Sequence, residues 1–148
     1  MEFKYERRVE ASVATVWDVL TDPDTMEPHL PGTAKVAAQG HDAYRISMKI
    51  SMGFLRPTVN ADVQLSDVVK PESFTIALSG KSMGAGVTGT AEVEVSSASD
   101  ATSTTLLKIS GAIQTSGLLN KIADSKIENA ATGFLESYLA SVEQTARG

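Results

Sequence analysis

The sequence predicts an α+β fold in which a curved antiparallel sheet of about seven strands wraps around one long C-terminal helix. Side chains alternate with a period of two through most of residues 33–115, whereas the segment after Gly117 follows the helical period. A sheet of this length needs a cover for its apolar face, and only the last segment is long enough to provide one. No linker or repeat interrupts the pattern, so we expect one domain, residues 1–148.

The N-terminal segment predicts one strand followed by two short helices. Residues Glu2 to Glu10 alternate between apolar and charged side chains, which is typical of a strand. Ser12 is a favourable N-cap for a first helix, whose apolar face carries Trp17 and which an Asp-Pro pair ends near Thr21. A second short helix is expected from Asp24 to His29.

The middle of the chain predicts six further strands, and the end predicts a helix. Glycine, proline and small polar residues separate the strands and predict short turns, which favour an antiparallel meander. The clearest alternating runs are 44–50, 59–65, 74–78, 87–95 and 104–115. The amphipathic segment from Gly117 to about Thr145 predicts a helix of roughly seven turns.

Composition excludes several classes of function. The chain has 148 residues, no cysteine, two histidines and a net charge of -5. Disulfides and thiolate sites are therefore excluded, and we expect no metal and no cofactor. The chain has no dense basic block of the kind that nucleic-acid binding requires. The N-terminus is charged and no long apolar run occurs, so we expect a cytoplasmic protein whose membrane contact is at most peripheral, on the inner face.

Three stretches carry a resemblance to a known family. They are the tryptophan helix at 11–23, the Leu-Pro-Gly turn at 30–32, and a glycine-rich pair at 80–91, with a further likeness at 115–119. Together they resemble the G-subunit family of carbon monoxide dehydrogenase, of the START-like (SRPBCC) helix-grip superfamily. The resemblance covers essentially the whole chain.

The resemblance implies a carrier of lipid-like molecules. Some members of the family link a molybdenum hydroxylase to the membrane or its quinone pool, and these often carry an apolar tail beyond the domain. The present sequence stops at Gly148 without such a tail, so we do not expect direct anchoring.

The gap between a curved sheet and one helix is the expected ligand site. We predict an apolar wall of strand and helix residues in which tyrosine hydroxyls orient the ligand, and we assign no catalytic residue. The wall residues are Tyr44, Ile46, Met48, Val59, Val63, Phe74, Ile76, Ile109, Ile127, Phe134 and Tyr138. Arg7 shares the covered face and is expected to meet either a ligand oxygen or a glutamate of the last helix, such as Glu128.

Other candidates have a second interpretation that stays open. Met52, Phe54 and Leu55 form an apolar loop that either docks a partner or borders the pocket mouth. His29 is either a general base at the rim or a helix-end histidine. The glycine pattern at 84–89 matches a dinucleotide motif, but strand-like residues follow it and favour a hairpin.

Three functions remain in competition. The first is a carrier for a quinone-like or lipid-like molecule that serves a larger redox enzyme of the molybdenum-containing CO dehydrogenase type. The second is a cyclase or hydratase acting on a polyketide-like substrate, for which the interior offers few acid–base groups. The third is an assembly or recruitment factor whose cavity is incidental. The sequence does not reveal the oligomeric state.

Overall fold

The computed structural model describes residues 1–30, 34–49, 58–82, 85–98 and 101–147. The elements follow the predicted order. The strands are β1 (Glu2–Val9), β2 (Lys35–Gly40), β3 (Ala43–Lys49), β4 (Thr58–Val69), β5 (Ser73–Ser82), β6 (Ala85–Ala98) and β7 (Ala101–Gly117). The helices are α1 (Val13–Thr21), α2 (Pro23–Met26) and α3 (Asp124–Arg147), with 3-10 turns at Glu27–His29 and Leu118–Lys121.

The seven strands form one antiparallel sheet in the order β1-β7-β6-β5-β4-β3-β2. Strands β2 to β7 are neighbours in sequence and in space, whereas β1 pairs with β7 at the far edge. The predicted curved antiparallel sheet with a long C-terminal helix and short helices after the first strand is therefore confirmed.

The predicted cap of α1 is also confirmed. The Ser12 hydroxyl accepts a hydrogen bond from the Thr15 amide at 3.3 Å, and α1 ends at Thr21. The predicted second helix divides into α2 and a 3-10 turn. Pro28 has no amide hydrogen with which to continue the α-helical ladder, so the chain tightens there.

The predicted start of the last helix at Gly117 is wrong. Gly117 has a φ of 63°, a left-handed conformation that glycine adopts readily, and it turns the chain out of β7. A 3-10 turn follows, Ile122 is extended, and α3 begins only at Asp124. The apolar residues in 118–122 have a spacing that an α-helix could use, but these residues do not form an α-helix.

The two ends of the sheet differ in packing. We call the end where β3, β5 and β7 finish the mouth end, and the opposite end, which holds the β2–β3 and β4–β5 turns, the base end. The base end is solid, since Trp17 of α1 packs edge-to-face on Phe74 with ring centroids 5.5 Å apart. Fully buried aliphatic side chains belong to the same core cluster as this pair: Val9, Val16, Val19, Leu107, Leu139 and Val142.

Candidate functional site

One face of the sheet is apolar and turned toward α3. Even-numbered residues of β3 and β5 and odd-numbered residues of β4, β6 and β7 point to this face, because side chains alternate along a strand. The cross-strand register aligns one row across five strands: Tyr44, Val63, Leu78, Gly89 and Ile113. This concave face is the floor of the candidate site.

On β3, β6 and β7 burial decreases from the base end to the mouth end, whereas the inward residues of β4 remain buried as far as Val59. At the base, Val95 and Leu107 are closed off from water. Toward the mouth, apolar residues of the same face are only half-buried although they point inward: Ile46, Met48, Ile76, Leu78, Val87, Ile109 and Ile113. Inward side chains that keep contact with water indicate that helix α3 does not fill the space above them, so we call this space the hollow.

Small residues deepen the middle of the floor. Ala61, Gly80, Gly89, Ala91 and Gly111 occupy inward positions on β4 to β7. At Gly111 the reason is close approach of two strands, because a Cβ would stand 2.1 Å from the Thr90 carbonyl oxygen. At Gly89 no such crowding exists, since a Cβ would meet its nearest atom at 3.4 Å.

The predicted wall residues of the strands all lie on this floor. Tyr44, Val59 and Val63 are buried, while Ile46, Met48, Ile76 and Ile109 are half-buried. From α3, Ile127 and Tyr138 are buried and Phe134 packs against the core. Phe74 belongs to the solid base rather than to the half-buried region.

Several floor residues were missing from the predicted wall. They are Leu78, Val87, Gly89, Ala91, Gly111 and Ile113. The alternation along β5 to β7 carries the signal that would have identified them, since each follows the same parity as a predicted residue. The glycines and alanines among them give no hydropathy signal of their own, so the face they occupy follows only from the parity of their neighbours along the strand.

Tyr44 supplies a polar group to the floor. The residue is 4% exposed, and its hydroxyl forms no hydrogen bond with any described residue. Within the described ranges, every side-chain oxygen or nitrogen that is fully buried has a hydrogen-bond partner. Because the Tyr44 hydroxyl has none, this oxygen is not fully buried and is accessible to a water-sized probe. Burial raises the pKa of Tyr44 well above its usual range, which keeps the hydroxyl protonated and able to donate.

A second tyrosine anchors the cover of the site. The hydroxyl of Tyr138 on α3 donates a hydrogen bond to the carbonyl of Val19 on α1. Burial, with a smaller effect of nearby Tyr44, raises its pKa so that it too stays protonated. Its ring stacks on Phe134 with centroids 5.9 Å apart and meets His29 edge-to-face at 6.1 Å.

His29 is half-buried and fastened to α3. Its Nδ1 lies 2.9 Å from the Ser141 hydroxyl, and no carboxylate of the described chain pairs with its ring. The structure therefore places His29 beside Tyr138 at the end of a 3-10 turn, where it holds the helix against the segment before β2. His41, by contrast, lies in the β2–β3 turn with its side chain 96% exposed.

Arg7 belongs to an ion-pair network between β1 and α3. Its guanidinium donates to Glu136 at 2.6 Å and to Glu143 at 2.7 Å. The Tyr5 hydroxyl donates to Glu136 at 2.7 Å, and burial followed by this bond raises the pKa of Tyr5 to about 12. A helix glutamate was the correct type of partner, but Glu128 was the wrong one. The true partners are seven residues apart, two helical turns, and share the face beside β1.

The floor is therefore uncharged apart from Arg7. In the regularly paired parts of the described strands, Arg7 is the one charged side chain with inward parity, and two carboxylates already bind it. Asp67 of β4 shares this parity, but it lies in the register shift between Ser66 and Val69 and is exposed. Arg45, which has the opposite parity on β3, is exposed and pairs with Asp62 at 2.8 Å.

The remaining sequence candidates do not form a second site in the described residues. Gly86 and Gly89 lie inside strand β6, so the strand-to-helix turn of a dinucleotide motif does not occur there. Met52, Phe54 and Leu55 lie outside the described residues. The described residues contain no cluster of three metal-ligating side chains, and none of their helices is long and apolar enough to cross a bilayer.

A depression of about 460 Å³ lies on the opposite, convex face across β3 to β6. The outward side chains that line it are small or polar and include Asp62, Gln64, Thr88 and Thr90. It is wide open to solvent, so it offers no shelter for an apolar molecule, and the concave face remains the candidate site.

Comparisons with known proteins agree with this architecture. A conserved protein from Geobacillus kaustophilus superposes with a TM-score of 0.87 at 15% identity, covering 99% of this chain and 95% of that one. A START superfamily protein from Mycobacterium smegmatis gives 0.69 at 12% identity, covering 99% and 97%. The Zhui aromatase/cyclase from Streptomyces sp. R1128 gives 0.66 at 15% identity, covering 99% and 93%.

At these identities the structural matches show the fold alone. A search of curated proteins finds no match. The profile of the CoxG family, described as the G subunit of carbon monoxide dehydrogenase, however, matches residues 6–146, nearly the entire chain. The chain therefore belongs to the CoxG family, the G-subunit family of carbon monoxide dehydrogenase.

Proposed function

We propose that this protein is a carrier that holds one neutral apolar molecule, quinone-like or lipid-like, in the hollow between the concave face and α3. The observation that carries the proposal is the row of inward, apolar and yet half-buried side chains at the mouth end. Apolar surface left in contact with water costs about 25 cal/mol per Å², so a ligand that covers it is bound favourably.

Charge and hydrogen bonding narrow the class of ligand. The described floor offers no unpaired cation to a carboxylate, because Arg7 is bound by Glu136 and Glu143. It does offer the Tyr44 hydroxyl as a donor without a partner in the described chain. A neutral molecule with a carbonyl oxygen, such as a quinone, matches this arrangement better than a free fatty acid does.

Family membership supplies a proposed partner. We propose that the carrier serves a larger redox enzyme of the molybdenum-containing CO dehydrogenase type, as the family description suggests. A reducible ligand such as a quinone would then connect that enzyme to the electron acceptors of the membrane. Pull-down with the CO dehydrogenase of the same organism tests this part separately from ligand binding.

The test of the carrier is native mass spectrometry of the freshly purified protein, followed by organic extraction. We expect an adduct of one neutral apolar molecule per chain, or uptake of added decylubiquinone by empty protein. An empty protein that takes up neither decylubiquinone nor an acyl chain contradicts the carrier.

A second candidate is an enzyme of the cyclase or hydratase type. The observation in its favour is the proximity of His29 to Tyr138, which in turn lies near Tyr44. Such an enzyme requires a base and an acid within reach of the substrate. Turnover of a poly-β-keto thioester that is lost in His29→Gln would establish it, whereas binding without turnover favours the carrier.

The third candidate, an assembly or recruitment factor, depends on the loop with Met52, Phe54 and Leu55. Replacement Phe54→Asp should abolish partner binding and leave ligand uptake intact if this loop docks the partner. Loss of ligand uptake with intact partner binding would assign the loop to the pocket mouth instead.

A further inference from the structure

Strand β1 forms one edge of the sheet, and backbone groups along its free side have no partner. Met1 and Ile113 exchange two backbone hydrogen bonds of 2.8 Å. Because bonded and non-bonded pairs alternate along an antiparallel ladder, the odd-numbered residues of β1 bond to β7 and the even-numbered amides point away from the sheet. Glu10, just past the strand, keeps this phase, since its amide donates to the Glu143 carboxylate at 2.9 Å. Within the described chain three edge amides have no hydrogen-bond partner: Glu2, Lys4 and Glu6.

The outward side chains along this edge alternate in sign. They are acid, base, acid and base in turn, and all are exposed: Glu2, Lys4, Glu6 and Arg8. Natural edge strands avoid pairing with other chains by means of charges, prolines or a cover. Charges of one sign repel a second copy of the same strand. Alternating signs can instead be matched by a second copy, so this edge is not protected against itself.

One register of an antiparallel β1 pair matches every charge. When Tyr5 faces Tyr5 of the second copy, Lys4 lies opposite Glu6, and Glu2 lies opposite Arg8. Cross-strand pairs of opposite charge are stabilising, and like charges directly opposite are destabilising. A shift by two residues places Lys4 opposite Lys4 or Glu6 opposite Glu6. In the matched register the facing residues are even-numbered, so their free amides and carbonyls meet and form hydrogen bonds.

The opposite edge of the sheet is less suited to such pairing. Strand β2 has six residues, and the amide of Val36 within it already donates to the Glu27 carboxylate at 3.2 Å. Its one charged residue is Lys35, so the strand has no alternating pattern that a second copy could match. The charge pattern therefore selects the β1 edge.

Helix α3 has small, uncharged residues on the β1 side of the molecule. Glu136 and Glu143 define the side of α3 that faces β1, since they accept from Tyr5 and Arg7. Positions three, four and seven residues from Glu136 lie beside this face and are exposed: Gly133, Ala140 and Asn129. A Cβ on Gly133 would meet no atom within 4 Å, so packing within the chain does not explain a residue that destabilises helices. Small residues allow a second helix to approach closely.

We propose that two copies of this chain pair through the free edge of β1 in the register centred on Tyr5, with the two α3 helices in contact at Gly133. Glu136 accepts from the Tyr5 hydroxyl, and Gly133 lies about one turn before it. The strand contact and the helix contact therefore lie near one two-fold axis, which gives the isologous interface of a homodimer. Because β1 begins at the mouth end and the paired strands are antiparallel, the two hollows open at opposite ends of the dimer.

Sedimentation velocity of the full chain at increasing concentration tests this pairing. We expect an equilibrium between monomer and dimer. Lys4→Glu should raise the dissociation constant roughly 30-fold, because two attractive pairs per dimer become repulsive, and Glu6→Lys should do the same. An equimolar mixture of these two variants should dimerise as the unmodified chain does. In the mixed dimer the two substituted side chains face each other with opposite charges, and so do the two native ones.

Two further variants separate the contacts. Lys35→Glu makes the same change of charge on the other edge strand and should leave the dimerisation unchanged. Gly133→Leu should raise the dissociation constant roughly 100-fold, since the two leucines overfill the helix contact. It should not lower the stability of the monomer in urea denaturation, because the space around Gly133 is empty within one chain.

Four results would overturn the proposal. The first is an unmodified chain that stays monomeric at every concentration. The second is an equal effect of Lys4→Glu and Lys35→Glu, which would reflect net charge rather than the β1 edge. The third is a mixture of Lys4→Glu and Glu6→Lys that stays monomeric, which would contradict the register. The fourth is a dimer that Gly133→Leu leaves intact.

Discussion

Two glycines on the same concave floor should respond in opposite ways to an added side chain. At Gly89 a Cβ would lie 3.4 Å from the Ala112 carbonyl oxygen and 4.0 Å from a side-chain carbon of Ile113, so it fits with little adjustment. At Gly111 a Cβ would lie 2.1 Å from the Thr90 carbonyl oxygen and 2.6 Å from the Cα of Ala91. Those atoms belong to the backbone of β6 and have little freedom to retreat.

The substitution Gly89→Leu should fill the hollow without unfolding the protein. Glycine in a strand is less stable than alanine by about 0.5–1 kcal/mol, so the free energy of unfolding should change by less than about 1 kcal/mol. The leucine would occupy the volume of two or three methylene groups of the ligand, and each methylene that is no longer buried lowers the binding free energy by about 0.8 kcal/mol. The loss of about 2 kcal/mol corresponds to a Kd roughly 30-fold higher.

The matched variant is Gly111→Ala, which should lower the free energy of unfolding by about 3 kcal/mol because strands β6 and β7 must separate. Urea denaturation measures stability, and titration with decylubiquinone measures affinity. The reasoning fails if Gly89→Leu binds decylubiquinone as tightly as the unmodified chain. It also fails if the two variants are equally stable.

Three further predictions concern the polar groups. Tyr44→Phe should weaken binding of decylubiquinone two- to ten-fold, the worth of about one hydrogen bond, and leave that of a plain hydrocarbon unchanged in the same titration. Arg7→Met should lower the free energy of unfolding, measured by urea denaturation, by about 2–3 kcal/mol, because Glu143 is only 10% exposed and loses its cation. Glu136→Gln should lower it by less than about 1 kcal/mol, because Glu136 is 53% exposed. The pKa of Tyr5 rises from 10.0 to about 12 on folding, so its contribution to the free energy of unfolding is complete below about pH 10 and is lost as the pH rises through 12. Tyr5→Phe should therefore flatten the alkaline decline in stability measured by urea denaturation. An unchanged decline would contradict this assignment.

The fold was predictable where local rules and the tertiary structure agree. Ser12 and the Asp-Pro pair bound α1 as predicted, since capping and proline geometry act within one turn. The start of α3 was not predictable, because residues 118–122 have an acceptable helical pattern. Their actual path depends on the left-handed Gly117 at the end of β7.

The site was predictable as a face but not as a set of contacts. Alternation alone placed Tyr44 and Ile46 on the floor, because the direction of a strand side chain follows from its parity. The pairing of His29 with Ser141 joins residues 112 positions apart, and Arg7 meets Glu143 across 136 positions. No local pattern encodes such distances, although the spacing of seven between Glu136 and Glu143 marks a common helix face.

Quenching of the single tryptophan tests the central claim most directly. Trp17 packs on Phe74 at the base end of the same sheet, so a quinone ring held in the hollow should quench its fluorescence at short range. Titration of the unmodified chain with decylubiquinone, without vesicles, should give saturable quenching at one molecule per chain, and Gly89→Leu should shift it to roughly 30-fold higher concentration. Quenching that never saturates, or that is identical in the two proteins, would contradict a ligand-holding hollow on the concave face.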